Sequence, residues 1–349
     1  MRALVAMSGG VDSSVAAALM RDAGHDVVGV TLKMWSGPNG EAPTAGCCTV
    51  SDAEDARRVA GQLDIPYYVL DYTTEFRDGV VDRFVADYVS GRTPNPCIEC
   101  NRTVKFDRLL HRLEDFESDV LVTGHHARSR YEGSHWSLHR GSDRAKDQSY
   151  VLSMLTQHEL ARTRFPVGEL TKSEVRSLAS SMGLRTARKP ESMDICFVGR
   201  HDYRTFLAKT APEAFVSGPI VDTEGQELGA HDGIAGFTVG QRRGLGVAVG
   251  EPRFVVRTEP TTSTVVLGTR DELGVAGVEL SQVVYTTGNG CSGEVTAQYR
   301  AHGDPVAAVL DRDRLLFVDP QIGVAPGQTV AFYDGDQVLG GALISRTFV

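Results

Sequence analysis

The chain has 349 residues, 41% of them hydrophobic and 23% charged, with a formal net charge of −9. That length holds about two or three domains with cores of their own, and no apolar run approaches the ~20 residues of a membrane-spanning helix. The acidic balance argues against a surface coated in nucleic acid, although a local basic groove is compatible with it. Residues 1–7 lack signal-peptide architecture, so a cytoplasmic protein is expected.

A first strand is expected at Leu4-Val5-Ala6 and a helix through Val15 to Met20, joined by Ser8-Gly9-Gly10-Val11-Asp12-Ser13-Ser14. A Gly-rich turn between strand and helix makes an anion site. The first-turn N–H groups have no partner inside the helix, and the helix dipole adds positive charge there. Gly9 and Gly10 allow close backbone approach, and Ser8, Ser13 and Ser14 bring hydroxyls. Asp12 is the odd member, because a carboxylate repels phosphate unless it holds a metal or caps the helix. The string resembles the pyrophosphatase loop (PP-loop) of adenylating enzymes, which split ATP between its α and β phosphates.

Further along, Val27 to Leu32 reads as a buried strand after Gly24 ends the first helix. Ser51-Asp52-Ala53-Glu54 reads as a capping box opening a helix through Ala60. Strands follow at Ile65 to Leu70 and Asp119 to Gly124, with a helix at Glu75 to Tyr88 between them. This βαβα order predicts a parallel sheet whose ligands bind at the carboxyl ends of its strands. Leu32 ends the second strand and would lie beside the nucleotide. A second capping box, Thr171 to Glu174, starts a helix that ends at Met182. Beyond about residue 210 short β signals take over, including Ile220 to Asp222, Phe254 to Arg257 and Thr264 to Leu267. From about Val275 the strands Val295 to Arg300, Ala307 to Leu310, Leu315 to Val318 and Thr329 to Tyr333 suggest a small barrel.

The six cysteines are too few for a disulfide scaffold, so their positions matter more than their number. Cys97 and Cys100 lie in Thr93-Pro94-Asn95-Pro96-Cys97-Ile98-Glu99-Cys100-Asn101, where the prolines hold the segment extended. Three readings are open for the pair: a structural zinc, which lacks a second ligand pair; a dithiol redox pair; or reactive sulfur beside the ATP site, with Arg102 and Lys105 nearby to favour thiolate. Cys196 sits in Ile195-Cys196-Phe197-Val198-Gly199. Cys47 and Cys48 read as loop or core thiols. Arg92, Arg102, Lys105, Arg108 and Arg112 gather around the cysteine loop and could form a basic track.

The PP-loop string, the Thr93 to Asn101 segment, Thr123-Gly124-His125, Lys146-Asp147-Gln148-Ser149-Tyr150, Phe165 to Leu170, the Cys196 segment and Gly240 to Gly246 occur in that order. Together they resemble the tRNA-specific 2-thiouridylases, PP-loop sulfurtransferases acting on wobble uridine. The resemblance implies an α/β fold: a PP-loop (adenine nucleotide alpha hydrolase-like) domain over 1–205, a small mixed domain over 206–274 and a C-terminal β-barrel over 275–349. It implies ATP at Ala6, Met7, Ser8, Gly9, Gly10, Val11, Asp12, Ser13, Leu32 and Gly124, with Mg²⁺ on the triphosphate. Asn95, Pro96 and Cys97 would meet the target base. Cys100 would be the nucleophile and Cys196 the persulfide carrier. His125, Lys146, Asp147, Gln148, Gln298, Tyr299 and Gln328 would contact tRNA.

Adenylating the C2 oxygen of uracil gives that carbon a leaving group, and sulfur from Cys196 can then replace AMP. Some members carry Asp at the position of Cys97. With cysteine there, Cys97, Cys100 and Cys196 could instead hold an iron–sulfur cluster. The expected partners are the tRNAs for Lys, Glu and Gln and a sulfur donor such as a cysteine desulfurase or relay protein, with no membrane. Two rivals stay open. An amide-forming PP-loop synthetase would need neither Cys100 nor Cys196, and a nucleotide- or cluster-binding regulator would release no pyrophosphate.

Overall fold

The computed structural model describes residues 1–36, 49–191, 195–198 and 202–349; Cys47, Cys48 and Gly199 lie outside them. The chain begins with β1 (Arg2–Ala6), α1 (Val11–Asp22), β2 (Asp26–Lys33), α2 (Val50–Leu63) and β3 (Tyr67–Asp71). It continues through β4 (Val120–Thr123), β5 (Ala127–Tyr131), β6 (Trp136–Arg140) and β7 (Thr163–Arg164). Strands β3-β2-β1-β4-β7 form one parallel sheet in that order. The chain starts in the middle, runs outward to β3 and returns to β4 on the other side of β1. The order therefore reverses between β1 and β4, where a parallel sheet opens a crevice at its carboxyl edge. Alternation along β1 sends Ala3 and Val5 into one core, with Val15 and Val59, and Leu4 into another, with Phe76, Phe84 and Phe106.

Two expected helices take a different form. The box opening α2 is built by Thr49 and Asp52, two residues earlier than the Ser51–Glu54 pattern suggests: Thr49 Oγ1 accepts the Asp52 N–H at 3.1 Å and Asp52 accepts the Thr49 N–H at 2.9 Å. The helix expected over 75–88 contains a π-helical stretch at Arg77–Val81, which packs against a second one at Cys100–Phe106. Such widened turns are rare and concentrate at functional sites. The box at Thr171 and Glu174 forms as expected and opens the helix Lys172–Ser181.

A mixed sheet follows, ordered β10 (Phe254–Glu259), β11 (Thr264–Gly268), β8 (Gly218–Asp222) and β9 (Glu227–His231). The C-terminal strands are β12 (Val275–Tyr285), β13 (Gly293–Gln298), β14 (Val306–Asp311), β15 (Arg314–Gln321), β16 (Thr329–Asp334) and β17 (Gln337–Phe348). They close into an antiparallel barrel because β12 pairs with both β15 and β17. The β5–β6 hairpin joins this barrel instead of the parallel sheet, through Val338 of β17 opposite Leu138. Among the described residues no helix is long and apolar enough to cross a membrane.

Candidate active site

The turn after β1 is shaped for an anion. Gly9 has φ +71°, and a Cβ on it would stand 2.2 Å from the Asp52 carbonyl oxygen, so only glycine fits against α2. Gly124, at the end of β4, presses equally closely on the other side: a Cβ there would meet Ser13 N at 2.5 Å. Gly10 is the N-cap of α1, and no side chain caps that helix. Its first-turn N–H groups are left for a ligand. Ser8 N–H donates to Ser13 Oγ at 3.1 Å and Ser14 Oγ to the Gly10 carbonyl at 2.7 Å, which tightens the turn from within.

A cleft opens here, lined by Ala6, Met7, Ser8, Asp12 and Ser13 from the turn, Val30, Thr31, Leu32 and Met34 from the β2 side, Thr123, Gly124 and His125 from the β4 side, and Lys105 and Gln148. Seven of the residues expected to hold nucleotide thus share one cavity, while Gly9, Gly10 and Val11 shape the turn behind it. Asp12 does not cap α1; it lines the cleft with its charge already paired. Lys172 Nζ lies 2.7 Å from each of its oxygens, and His126 Nε2 is 3.2 Å from Oδ1. Burial raises the Asp12 pKa, but the bonds from His126 and Lys172 outweigh it, so the carboxyl titrates below its ordinary range. Lys172 Nζ also reaches Glu191 at 3.1 Å, and Glu191 holds Lys146 at 2.8 Å.

His125 faces the cleft, and its Nδ1 is 2.8 Å from Thr123 Oγ1. Burial, with Lys105 nearby, pushes its imidazole down to about 3, so the ring is neutral at physiological pH. The adjacent His126 turns the other way, toward Asp12, as neighbouring residues at a strand end do.

Asn95 caps the short helix Pro96–Glu99, its side-chain oxygen accepting the N–H groups of Cys97 at 3.1 Å and Ile98 at 3.3 Å. Cys97 is exposed, whereas Cys100 is buried at the start of the following π-helical turn. Its thiol lies 3.7 Å from Met34 Sδ, and Met34 is itself a wall of the cleft. Cys196 is half-buried, and the next residue anchors its turn: Phe197 meets Phe84 at 5.1 Å, Phe206 at 5.2 Å, Phe76 at 5.8 Å and Trp35 at 6.1 Å between ring centroids. Cys100 and Cys196 therefore belong to one core cluster. Among the described residues no group of three or more His, Cys, Asp or Glu side chains is arranged to hold a metal ion.

The residues expected to contact tRNA divide. His125 and Gln148 line the cleft, Gln148 accepting the His126 N–H at 2.9 Å. Lys146 is on Glu191. Asp147 and Gln298 are buried and joined through Arg140, which donates to both at 2.9 and 3.1 Å and stacks on Tyr333 at 3.6 Å; they tie hairpin to barrel. Tyr299 is buried, with its hydroxyl on Gln321 at 3.2 Å. Gln328 sits in the barrel turn whose Pro326 carbonyl accepts the Thr93 N–H at 2.8 Å, two residues before Asn95. In the basic cluster Arg92, Arg102, Arg108 and Arg112 are paired with Asp87, Glu99, Asp107 and Asp115. Sequence reasoning missed Lys172 and Met34, whose contacts join distant parts of the chain.

Three family models match in succession: the tRNA methyl transferase HUP domain at residues 1–200, the tRNA methyl transferase PRC-barrel domain at 204–269 and the aminomethyltransferase beta-barrel domain at 275–344. The tRNA-specific 2-thiouridylase MnmA of Roseiflexus castenholzii is 45% identical, covering 98% of this chain and 99% of that protein. Its counterpart in Acidothermus cellulolyticus is 48% identical, covering 99% and 98%. Among solved structures, a 4-thiouridine synthetase–RNA complex with bound ATP aligns over 61% of this chain and 50% of that one, with 17% identity and a TM-score of 0.39, too slight a likeness to bear on function. With 45% or more of its residues shared over nearly the full length of these relatives, the chain belongs to the tRNA-specific 2-thiouridylase family.

Proposed function

We propose that the protein is an ATP-dependent tRNA-uridine 2-sulfurtransferase that thiolates the wobble uridine at C2. The observation that carries this reading is the contact from Cys100 through Met34 to a cleft whose floor is the uncapped start of α1. ATP occupies that cleft with its phosphates on residues 8–13, and its Mg²⁺ arrives with the triphosphate, since Lys172 and His126 already engage Asp12. The uracil C2 oxygen attacks the α-phosphorus and pyrophosphate leaves. The terminal sulfur of a Cys196 persulfide attacks C2 and AMP departs. Cys100 thiolate then attacks the Cys196 sulfur, releasing the thiocarbonyl and leaving a Cys100–Cys196 disulfide that an external dithiol reduces.

The persulfide route is preferred to a cluster on Cys97, Cys100 and Cys196, because one of these thiols is exposed and another buried in the core, a poor fit to a shared centre. Residues 1–205 form the catalytic domain in this reading, with 206–274 and 275–349 receiving tRNA around it. In this reading His125, Gln148 and Gln328 meet the anticodon, and Asn95 to Cys97 the base. The substrates are the tRNAs for Lys, Glu and Gln in the cytoplasm, and the donor is a cysteine desulfurase or its relay.

The test supplies ATP, a wobble-uridine tRNA transcript and a desulfurase with cysteine, and measures 2-thiouridine and pyrophosphate. Cys100→Ser and Cys196→Ser should each lose 2-thiouridine while single-turnover pyrophosphate release persists. Thiolation at the wild-type rate in either variant, or thiolation without ATP, overturns the reading.

A further inference from the structure

We propose that Lys105 is a catalytic residue of the adenylation step: its ammonium, carried on the same π-helical turn as Cys100, meets the α-phosphate of ATP. Among the described residues lining the cleft, the charged side chains are Asp12 and Lys105. The Asp12 charge is met by Lys172 at 2.7 Å, and Lys172 is drawn on its other side by Glu191 at 3.1 Å. His125 adds no charge, because burial and the nearness of Lys105 keep its ring neutral. That nearness places the ammonium on the β4 side of the cleft, where Gly124 closes on Ser13 of the α1 turn. Positive charge is thus offered to a ligand from two directions, by the first-turn amides of α1 and by Lys105.

The helical register explains why a lysine of this segment reaches the cleft. Residues five apart in an α-helix point about 140° away from each other, so Cys100 and Lys105 would face different ways. The i→i+5 register of the Cys100–Phe106 turn sets them nearly in line. Lys105 lines the cleft, and Cys100, one turn before it, lies 3.7 Å from Met34 of the cleft wall.

The assignment rests on the nucleotide reading given above, in which residues 8–13 seat the phosphates. The two phosphates that leave together belong on the turn, and the uracil that accepts AMP must come within reach of Cys100. The α-phosphorus then lies between turn and thiol, on the side that Lys105 enters. In the step itself the uracil C2 oxygen bonds to the α-phosphorus, while the bond to the bridging oxygen breaks and its electron pair leaves on pyrophosphate. The uracil N3 proton passes to water. An ammonium already in place for the α-phosphate oxygens stabilises this arrangement more in the transition state than in the bound ground state.

The test follows single-turnover pyrophosphate release with ATP and a wobble-uridine tRNA transcript, and measures affinity for α,β-methylene-ATP by calorimetry. Lys105→Ala should slow release at saturating ATP by about a hundredfold or more and weaken the analogue far less, so that the loss falls on kcat more than on KM. Added ethylammonium should restore part of the rate to Lys105→Ala and leave wild type unchanged, a rescue that a merely structural role would not give. Lys105→Arg keeps the charge and should retain more of the rate than Lys105→Ala. Release at the wild-type rate in Lys105→Ala with loss of 2-thiouridine would assign the lysine to the thiol and overturns the proposal. A slow Lys105→Ala that ethylammonium does not revive, with analogue affinity reduced by the same factor, overturns it as well. Wild-type protein that binds no analogue and releases no pyrophosphate overturns the nucleotide reading itself.

Discussion

The cleft and the segment that carries Cys196 are held by different means. Most of the cleft rests on regular structure: the ends of β1, β2 and β4, the first turn of α1 and, through Lys105, the π-helical turn Cys100–Phe106. The described residues around Cys196, 189–191 and 195–198, lie outside helix and strand, and side chains supply much of their hold. Lys189 grips Asp52 at 2.7 Å and Asp55 at 2.6 Å, Glu191 binds Lys146 and Lys172, and Phe197 fills an aromatic nest. Backbone ladders open cooperatively with the sheet, whereas a segment held by side chains can leave and return while the sheet stays intact. Adenylation needs the first kind of support. A sulfur carrier that must be loaded by a donor and then approach the base needs the second.

The sharpest way to break this contrast is at Asp12. Asp12→Ala removes the partner that orients Lys172 beside the α1 terminus and should lower pyrophosphate release by roughly a hundredfold or more, the scale of a lost electrostatic element in an active site. Affinity for tRNA, measured by filter binding, should be largely spared. Unchanged pyrophosphate release would show that the phosphates do not sit on this turn. On the opposite side, Phe197→Ala deletes the anchor of the Cys196 turn and should cost about 3–5 kcal/mol in urea unfolding, as for other buried aromatic truncations. Nucleotide affinity should hold while Cys196 alkylation accelerates. A parallel fall in nucleotide affinity would mean that the two regions are one unit.

His125 sharpens the comparison through pH. Its folded pKa of about 3 lies well below the 6.5 of an ordinary imidazole, so the folded protein keeps the ring neutral where the unfolded chain takes up a proton. The stability this contributes is fully present above pH 6.5 and is lost as pH falls from 6.5 toward 3, by up to about 1.4 kcal/mol per pH unit. His125→Gln should flatten that part of the stability profile relative to wild type. An identical acid slope in the variant would mean that the ring is not desolvated by Phe106 and Phe165, which flank it at 5.9 and 6.2 Å.

Legibility in the sequence follows the same division. The Ser8–Ser14 turn and the Thr171 box are local patterns whose chemistry closes within a few residues, and both form as read. The box at α2 sits at Thr49 although Ser51 is as good a cap or better, and its Asp52 is also bonded by Lys189 from 137 residues away, a contact no local pattern announces. The β5–β6 hairpin has ordinary strand alternation, yet nothing local says which sheet it joins. Asp147 looks like a surface acid in Lys146-Asp147-Gln148 until Arg140 and Gln298 enclose it. Lys172 reads as an ordinary first-turn lysine, since its partners lie 160 residues upstream and 19 downstream. Motifs fix what a residue can do, and long-range pairing decides whether it does it.

The smallest expected effect tests whether the cysteine loop belongs with the cleft. Asn95 supplies one side-chain oxygen to two N–H groups at the start of a four-residue helix, Pro96–Glu99, that continues into the π-helical turn. Losing such a cap costs about 1 kcal/mol. The loss should stay near that value, because Ile98 and Cys100 are buried and Glu99 is clamped by Arg83 at 3.1 Å and Arg102 at 2.9 Å, holding the helix from its inner face. Asn95→Asp keeps the acceptor and should recover most of the stability, whereas Asn95→Ala should expose Cys97 and Ile98 amides to hydrogen exchange without speeding exchange in β1 or β4. Exchange that rises through Cys100 and into β4 would show the loop to be the keystone of the cleft, and the cleft to be held, like the Cys196 segment, by its side chains.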